Sequence, residues 1–186
     1  QVGSTRNSTF PASRSAATSV AEICSPSTSS DPRIFASTAG SGSVENAQPL
    51  VVRHRQCSMA LAHNGNISNA EALRRRFEES GAIFHGNSDT EVISYAVIQA
   101  RRDAETLEHA VEMAMPQLEG AYSLVILTPE KLIAARDPHG FRPLCMGKTA
   151  DGAVVFASES CALDSIGAEF VRDIRPGEIV VASDEG

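Results

Sequence analysis

From Ala121 to Ser183 the chain is cut into short apolar runs by Pro, Gly and Asp: AYSLVIL (121–127), KLIAAR (131–136), PLCMG (143–147), AVVFAS (153–158) and EIVVAS (178–183). Runs of this length between turn formers read as β-strands. The connections are too short for the crossovers that parallel neighbours need, so the spacing predicts antiparallel pairing. Upstream the period changes. Ala70, Leu73 and Phe77 share one helical face that Gly81 ends. Val92, Ile93, Ala96 and Val97 mark a second helix running to about Arg102. Leu107, Ala110, Val111, Ala114 and Leu118 mark a third, disturbed by Pro116 in its last turn and ended by Gly120. Ser68 with Glu71, and Ser88 with Glu91, have the spacing of capping boxes for the first two. Helices early and hairpins late predict an α+β layered domain.

Residues ahead of Ser37 stand outside this pattern. Thirteen of the first thirty are Ser or Thr, and Val2, Phe10, Val20 and Ile23 keep neither a helical nor a strand period. The sequence therefore divides into a Ser/Thr-rich segment, 1–36, without regular structure, and a domain, 37–186. The segment reads as a disordered tail or as a stretch translated from another frame. Its composition also resembles an organelle transit peptide, a third reading that ranks below them because Glu22 interrupts it.

A net charge of −7 with no dense Lys/Arg patch argues against a nucleic-acid partner. Cys24, Cys57, Cys145 and Cys161 are too few and too far apart for a disulfide framework or a zinc site. A reducing, cytoplasmic setting fits them, with the plastid as the alternative if segment 1–36 is a transit peptide. Cys57, Cys145 and Cys161 fall in strand or strand-end patterns and are expected to be small buried hydrophobes. No apolar run approaches the roughly 18–20 residues of a membrane-spanning helix. The five histidines have no metal-ligand spacing. His63 is read as orienting its neighbouring loop, and His139 with Asp137 as a Pro-Gly turn in preference to an acid/base pair.

Two polar clusters carry the candidate chemistry. A strand of Met59, Ala60, Leu61 and Ala62 delivers Asn64 and Gly65 to its tip. There a side-chain amide and an approachable backbone N–H form the parts of an oxyanion hole. The same Asn-Gly pair is also a strong hairpin-turn signal. In GNSDTE (86–91), Asp89 falls in the first turn of the second helix. It reads either as a helix-dipole carboxylate or as a partner for a ligand ammonium group.

STAGSGSVENAQPL (37–50), LAHNGNISNAEALR (61–74), HGNSDTEVI (85–93), LEGAYSLVIL (118–127), ARDPHGFRPLCMGK (135–148) and FASESCALD (156–164) occur in that order. Together they resemble the glutaminase domain of the amidophosphoribosyltransferase family, over about four fifths of the chain. ARDPHGFRPL and SESCALD favour this branch over glucosamine-phosphate synthase and asparagine synthetase. The resemblance implies an N-terminal-nucleophile hydrolase fold, a four-layer αββα sandwich of two antiparallel sheets, here lacking its first strand or strands. It implies that a cysteine at the chain start attacks the glutamine carboxamide, with its own α-amine as base, to form a glutamyl thioester. Asn64 and Gly65 are then the oxyanion hole, Asp89 holds the substrate amino group, and Thr38 lines the glutamine pocket.

Two departures qualify the activity. The chain has no Cys-Gly, Cys24 lies too close to Thr38 to stand in for it, and Phe35 occupies the place of the family's carboxylate-binding arginine, three residues before Thr38. The expectation is a glutaminase domain inactive by itself. Its marginal stability is also expected, because missing first strands leave sheet edges unpaired. Glutamine is the expected partner, and the chain carries no cofactor. Phosphoribosyl pyrophosphate and Mg2+ belong to a second domain absent here, and the parent enzyme is expected to be a homo-oligomer. A non-catalytic amino-acid-binding or regulatory domain is the alternative.

Overall fold

The computed structural model describes residues 46–183, together with the backbone of residues 7–11. Two sheets occur among the described residues. The larger uses β1 (Asn7–Pro11), β2 (Leu50–His54), β3 (Cys57–Ile67), β4 (Gly120–Leu127), β5 (Lys131–Arg136) and β9 (Ile179–Ser183). Its order is β1-β9-β5-β4-β3-β2. The smaller has the order β7-β6-β8, from β6 (Cys145–Lys148), β7 (Val154–Ala157) and β8 (Glu169–Asp173). Helices α1 (Ala70–Glu79), α2 (Asp89–Ala100) and α3 (Leu107–Ala114) cover the outer face of the large sheet, and α4 (Ser160–Ser165) covers that of the small one.

Three apolar clusters fill the three gaps between these four layers. Leu61, Ile67, Leu124, Ile126, Ile133 and Ile179 pack under the helices with Phe77, Ile93 and Val111. Their alternates Val125, Leu132, Ala134 and Val180 face the other way, onto Leu144, Met146, Val154 and Phe156 of the small sheet. Cys145, Val155 and Ala157 then meet Ala162 and Leu163 of α4. Both faces of β4, β5 and β9 are thus buried, which is why these strands read as continuous apolar runs instead of alternating ones. Each fully buried Leu, Ile or Phe contributes about 1.5–3 kcal/mol. The layered α+β expectation, with two sheets between helices, is borne out.

Several local expectations need correction. Segment 1–36 is not irregular throughout, because residues 7–11 form β1, which pairs with β9 in parallel. The edge of β9 is therefore covered. The premise of an unpaired edge there fails, and β2 is the opposite outer strand. All other strand pairs are antiparallel. The first capping box does not form. Ser68 directs its N–H and hydroxyl to the Glu119 carbonyl (2.7 and 3.2 Å), extending strand pairing, and Asn69 takes the N-cap position of α1 without a side-chain cap bond. The Ser88 hydroxyl does cap α2, accepting from Thr90 N–H at 3.1 Å. Glu91 closes the loop ahead of it, accepting from the His85 and Gly86 amides at 2.9 and 3.0 Å. α3 ends at Ala114, short of the expected Gly120, because Pro116 turns the chain into a single 3-10 turn, Met115–Gln117.

Of the cysteines expected to be buried, only Cys145 is fully so. Cys57 is half-buried and Cys161 is exposed on α4, a short helix that its sequence does not announce. Burial, aided by the Asp173 carboxylate, pushes the Cys145 thiol up to about 11. Iodoacetamide at pH 8 is therefore expected to modify Cys161 in the folded chain and Cys145 only after unfolding, because the thiolate is the reactive form. Peptide mapping by mass spectrometry checks this, and equal labelling of the two in the native state would refute it.

Candidate functional site

The site is built around β3, which does not stop at the polar cluster. It runs on to Ile67, pairing Asn64 with Ser123, Gly65 with Tyr122 and Asn66 with Ala121. The hairpin-turn reading of Asn64-Gly65 is therefore wrong, and so is the placement at a strand tip. Glycine is required at 65 for two reasons. Its φ is +139°, and a Cβ there would lie 2.0 Å from the Ala121 carbonyl oxygen. Asn64 donates through Nδ2 to Ser158 Oγ at 3.1 Å, just beyond β7. Asn64 lines a cavity of about 20 Å³ between the sheets, together with Ser158, Gln48, Ser123 and Phe156. That is room for about one water molecule.

On the other margin of β3 the backbone partners are side chains. Pairing with β2 ends at Leu50–Leu61. Two residues further along, the buried Gln48 amide takes over, accepting from His63 N–H at 2.6 Å and donating to the His63 carbonyl at 3.0 Å. The same Nε2 also donates to Thr90 Oγ1 at 3.2 Å. Asp89, 4% exposed, accepts from Ile67 N–H through Oδ2 at 3.2 Å, and its Oδ1 stands 3.3 Å from His63 Nδ1. Asp89 Oδ1 and His63 Nε2 are buried without a hydrogen bond. His63 is thus a buried hub between strand and helix start, a closer tie than loop orientation alone.

Asn64 and Gly65 are adjacent in β3, and Asp89 joins the same strand at Ile67, but Asp89 does not line the cavity that Asn64 lines. Thr38 lies outside the described residues, as do Cys24 and Phe35. Cys57 packs on the helical side of the large sheet, Cys145 faces the α4 layer and Cys161 is exposed, so no described thiol faces the cavity. Sequence reasoning missed Gln48, Thr90 and Ser158. All three lie inside the quoted motif stretches, but each is a neutral polar residue whose partner is far off in sequence. His139 and Asp137 do form a turn: Asp137 accepts from the His139, Phe141 and Arg142 amides (2.9, 3.3 and 3.3 Å). Among the described residues, no group of three or more His, Cys, Asp or Glu side chains could hold a metal ion. No described helix is long and apolar enough to cross a membrane.

This layered fold, in which an amide and a glycine stand side by side on β3, is shared with glutamine amidotransferases. Residues 36–165 match the glutamine amidotransferase domain family, and the chain belongs to that family. The relatives it resembles carry the name amidophosphoribosyltransferase. Amidophosphoribosyltransferase 2, chloroplastic, of Arabidopsis thaliana is 48% identical over 81% of this chain and 26% of its own length. Amidophosphoribosyltransferase of Staphylococcus aureus is 45% identical over 80% of this chain and 30% of its own. The solved structure of glutamine phosphoribosylpyrophosphate amidotransferase from B. subtilis, complexed with ADP and GMP, superposes with a TM-score of 0.72. It is 42% identical, over 77% of this chain and 31% of that one. The chain thus spans between a quarter and a third of the length of these relatives. The family resemblance seen in the motifs is borne out.

Proposed function

We propose that this chain is the glutamine-binding domain of an enzyme that hydrolyses glutamine and passes the ammonia to phosphoribosyl pyrophosphate, giving 5-phosphoribosylamine for purine synthesis. One observation carries the site assignment. His63 and Ile67 turn their N–H groups to the margin of β3 away from β4, toward Gln48 and Asp89. Strand alternation puts the Gly65 N–H on that margin between them. A donor for a developing oxyanion and a carboxylate for an ammonium group thereby share one strand edge. Asn64 Nδ2 supplies the second donor by leaving Ser158. Attack on the carboxamide carbon would place negative charge on its oxygen, and each preorganised donor lowers that barrier by about 2.7–4 kcal/mol. Thr38 is assigned to the glutamine pocket from the family resemblance of its motif alone.

Because the sequence holds no Cys-Gly and carries Phe35 three residues before Thr38, where the family has an arginine, the chain is assigned glutamine binding without turnover. The cavity must widen to admit the ligand. Phosphoribosyl pyrophosphate and its Mg2+ are assigned to the part of the relatives that this chain does not span. The parent is assigned to homo-oligomers of the cytoplasm, or of the plastid as in the Arabidopsis relatives. Calorimetry with L-glutamine, paired with an ammonia assay, tests the reading. Binding heat without ammonia is expected. No heat would overturn glutamine binding, and steady ammonia release would overturn the assignment of an inactive chain.

A further inference from the structure

Gln48 is buried, carries no charge and stands where β2 has already left β3, yet every polar atom of its side chain is used. Oε1 accepts from the His63 amide at 2.6 Å, while Nε2 donates to the His63 carbonyl at 3.0 Å and to Thr90 Oγ1 at 3.2 Å. The first two bonds are those a paired strand would make to residue 63. The third ties that strand to the first turn of α2, one residue after Asp89. Only a primary amide offers an acceptor and two donors in one plane. A carboxylate would lose both donors, and a thioether of the same length would lose all three bonds.

We infer that Gln48 is a positioning residue that sets the spacing between the two ends of the glutamine site. It grips the residue before Asn64-Gly65 at the carboxamide end, and through Thr90 it holds the helix turn that carries Asp89 at the ammonium end. This rests on the function proposed above and goes beyond it, because the polar atoms of Gln48 are bonded to His63 and Thr90 and act on the site through them. A side chain acting only as packing would affect all ligands alike. A spacer affects the ligand that must reach both ends.

The test uses the full chain, Gln48→Met and Gln48→Glu. Amide hydrogen exchange by NMR reads the clamp, and calorimetry compares L-glutamine with L-norvaline, which keeps the amino-acid end but lacks the carboxamide. Gln48→Met, which removes the acceptor, is expected to exchange the His63 amide at least about tenfold faster, as loss of a buried hydrogen bond predicts. Gln48→Glu keeps an acceptor for that amide and loses only the two donor bonds. The preference for glutamine over norvaline is expected to fall by about tenfold or more. Faster exchange in Gln48→Met with an unchanged preference would overturn the positioning role, and unchanged exchange in Gln48→Met would overturn the clamp itself. If the unaltered chain binds no glutamine, the proposed function fails separately, while the exchange measurement still decides whether the clamp exists. Retained cooperative unfolding of Gln48→Met separates these outcomes from simple misfolding.

Discussion

Replacing Gly65 with alanine is expected to destabilise the fold by at least about 3 kcal/mol, among the largest losses available to a single methyl group. Two costs combine. A backbone at φ +139° is one that residues with a Cβ rarely adopt, and the added carbon would sit 2.0 Å from the carbonyl oxygen of Ala121. That oxygen is backbone in the neighbouring strand, so relief requires β3 and β4 to separate where Gly65 pairs with Tyr122. Gly81 provides the control. Its φ is +92°, but a Cβ on it would meet nothing within 4 Å, so Gly81→Ala is expected to show the dihedral cost alone, about 1–2 kcal/mol. Urea unfolding of both variants, with unchanged slopes, measures the difference. Equal losses would mean that β4 yields without cost and that close strand approach is not what demands glycine. Under the proposed function, Gly65→Ala also moves both oxyanion donors, so glutamine affinity falls with stability.

How much could be read in advance follows from where each signal is stored. The apolar runs of β4, β5 and β9 were visible because burial on both faces leaves few polar positions. β8 (EFVRD) was not, because Glu169, Phe170 and Val171 are exposed at the edge of the small sheet and no apolar pattern survives there. α4 has six residues, too few to establish a helical period. β1 escaped because the polar run NSTFP gains its place from backbone pairing to β9, which composition does not record. At the site, Asn64, Gly65 and Asp89 stood out as a motif, but their supports did not. Gln48 and His63 are fifteen residues apart, and Asn64 and Ser158 ninety-four, so their contacts exist only once the sheets are stacked. The capping boxes show the same limit in reverse: the spacing at Ser68 was right, but tertiary pairing with Glu119 claimed its hydroxyl.

Asp137→Ala is expected to cost about 3–5 kcal/mol, the range for stripping one partner from a buried charged network. Asp137 is fully buried, and its carboxylate collects the amides of His139, Phe141 and Arg142. Its own carbonyl accepts from Gly140 and Gly177. Its neighbour Arg136 does the converse, donating to the carbonyls of Gly140, Arg142 and Ile174 at 2.8, 2.7 and 2.6 Å. Adjacent anion and cation thus gather opposite backbone groups of two connections, the loop after β5 and the β8–β9 link at Ile174 and Gly177, and hold β5 against the start of β6 and β9. Alanine leaves three amides without acceptors and removes the negative charge beside Arg136. Asp137→Asn keeps one acceptor oxygen, so about half of the loss is expected from it. His139→Ala is expected to change stability by less than about 0.5 kcal/mol, because that residue is exposed and only its ring contact with Phe141, 5.4 Å between centroids, is lost. Denaturant unfolding of the three variants ranks them. A large loss from His139→Ala would point to a working His139–Asp137 pair. The expected order instead makes the ARDPHGFRPL stretch a structural clasp, in which two adjacent charged side chains divide the backbone donors and acceptors of the turn after β5 and Arg136 reaches on to Ile174.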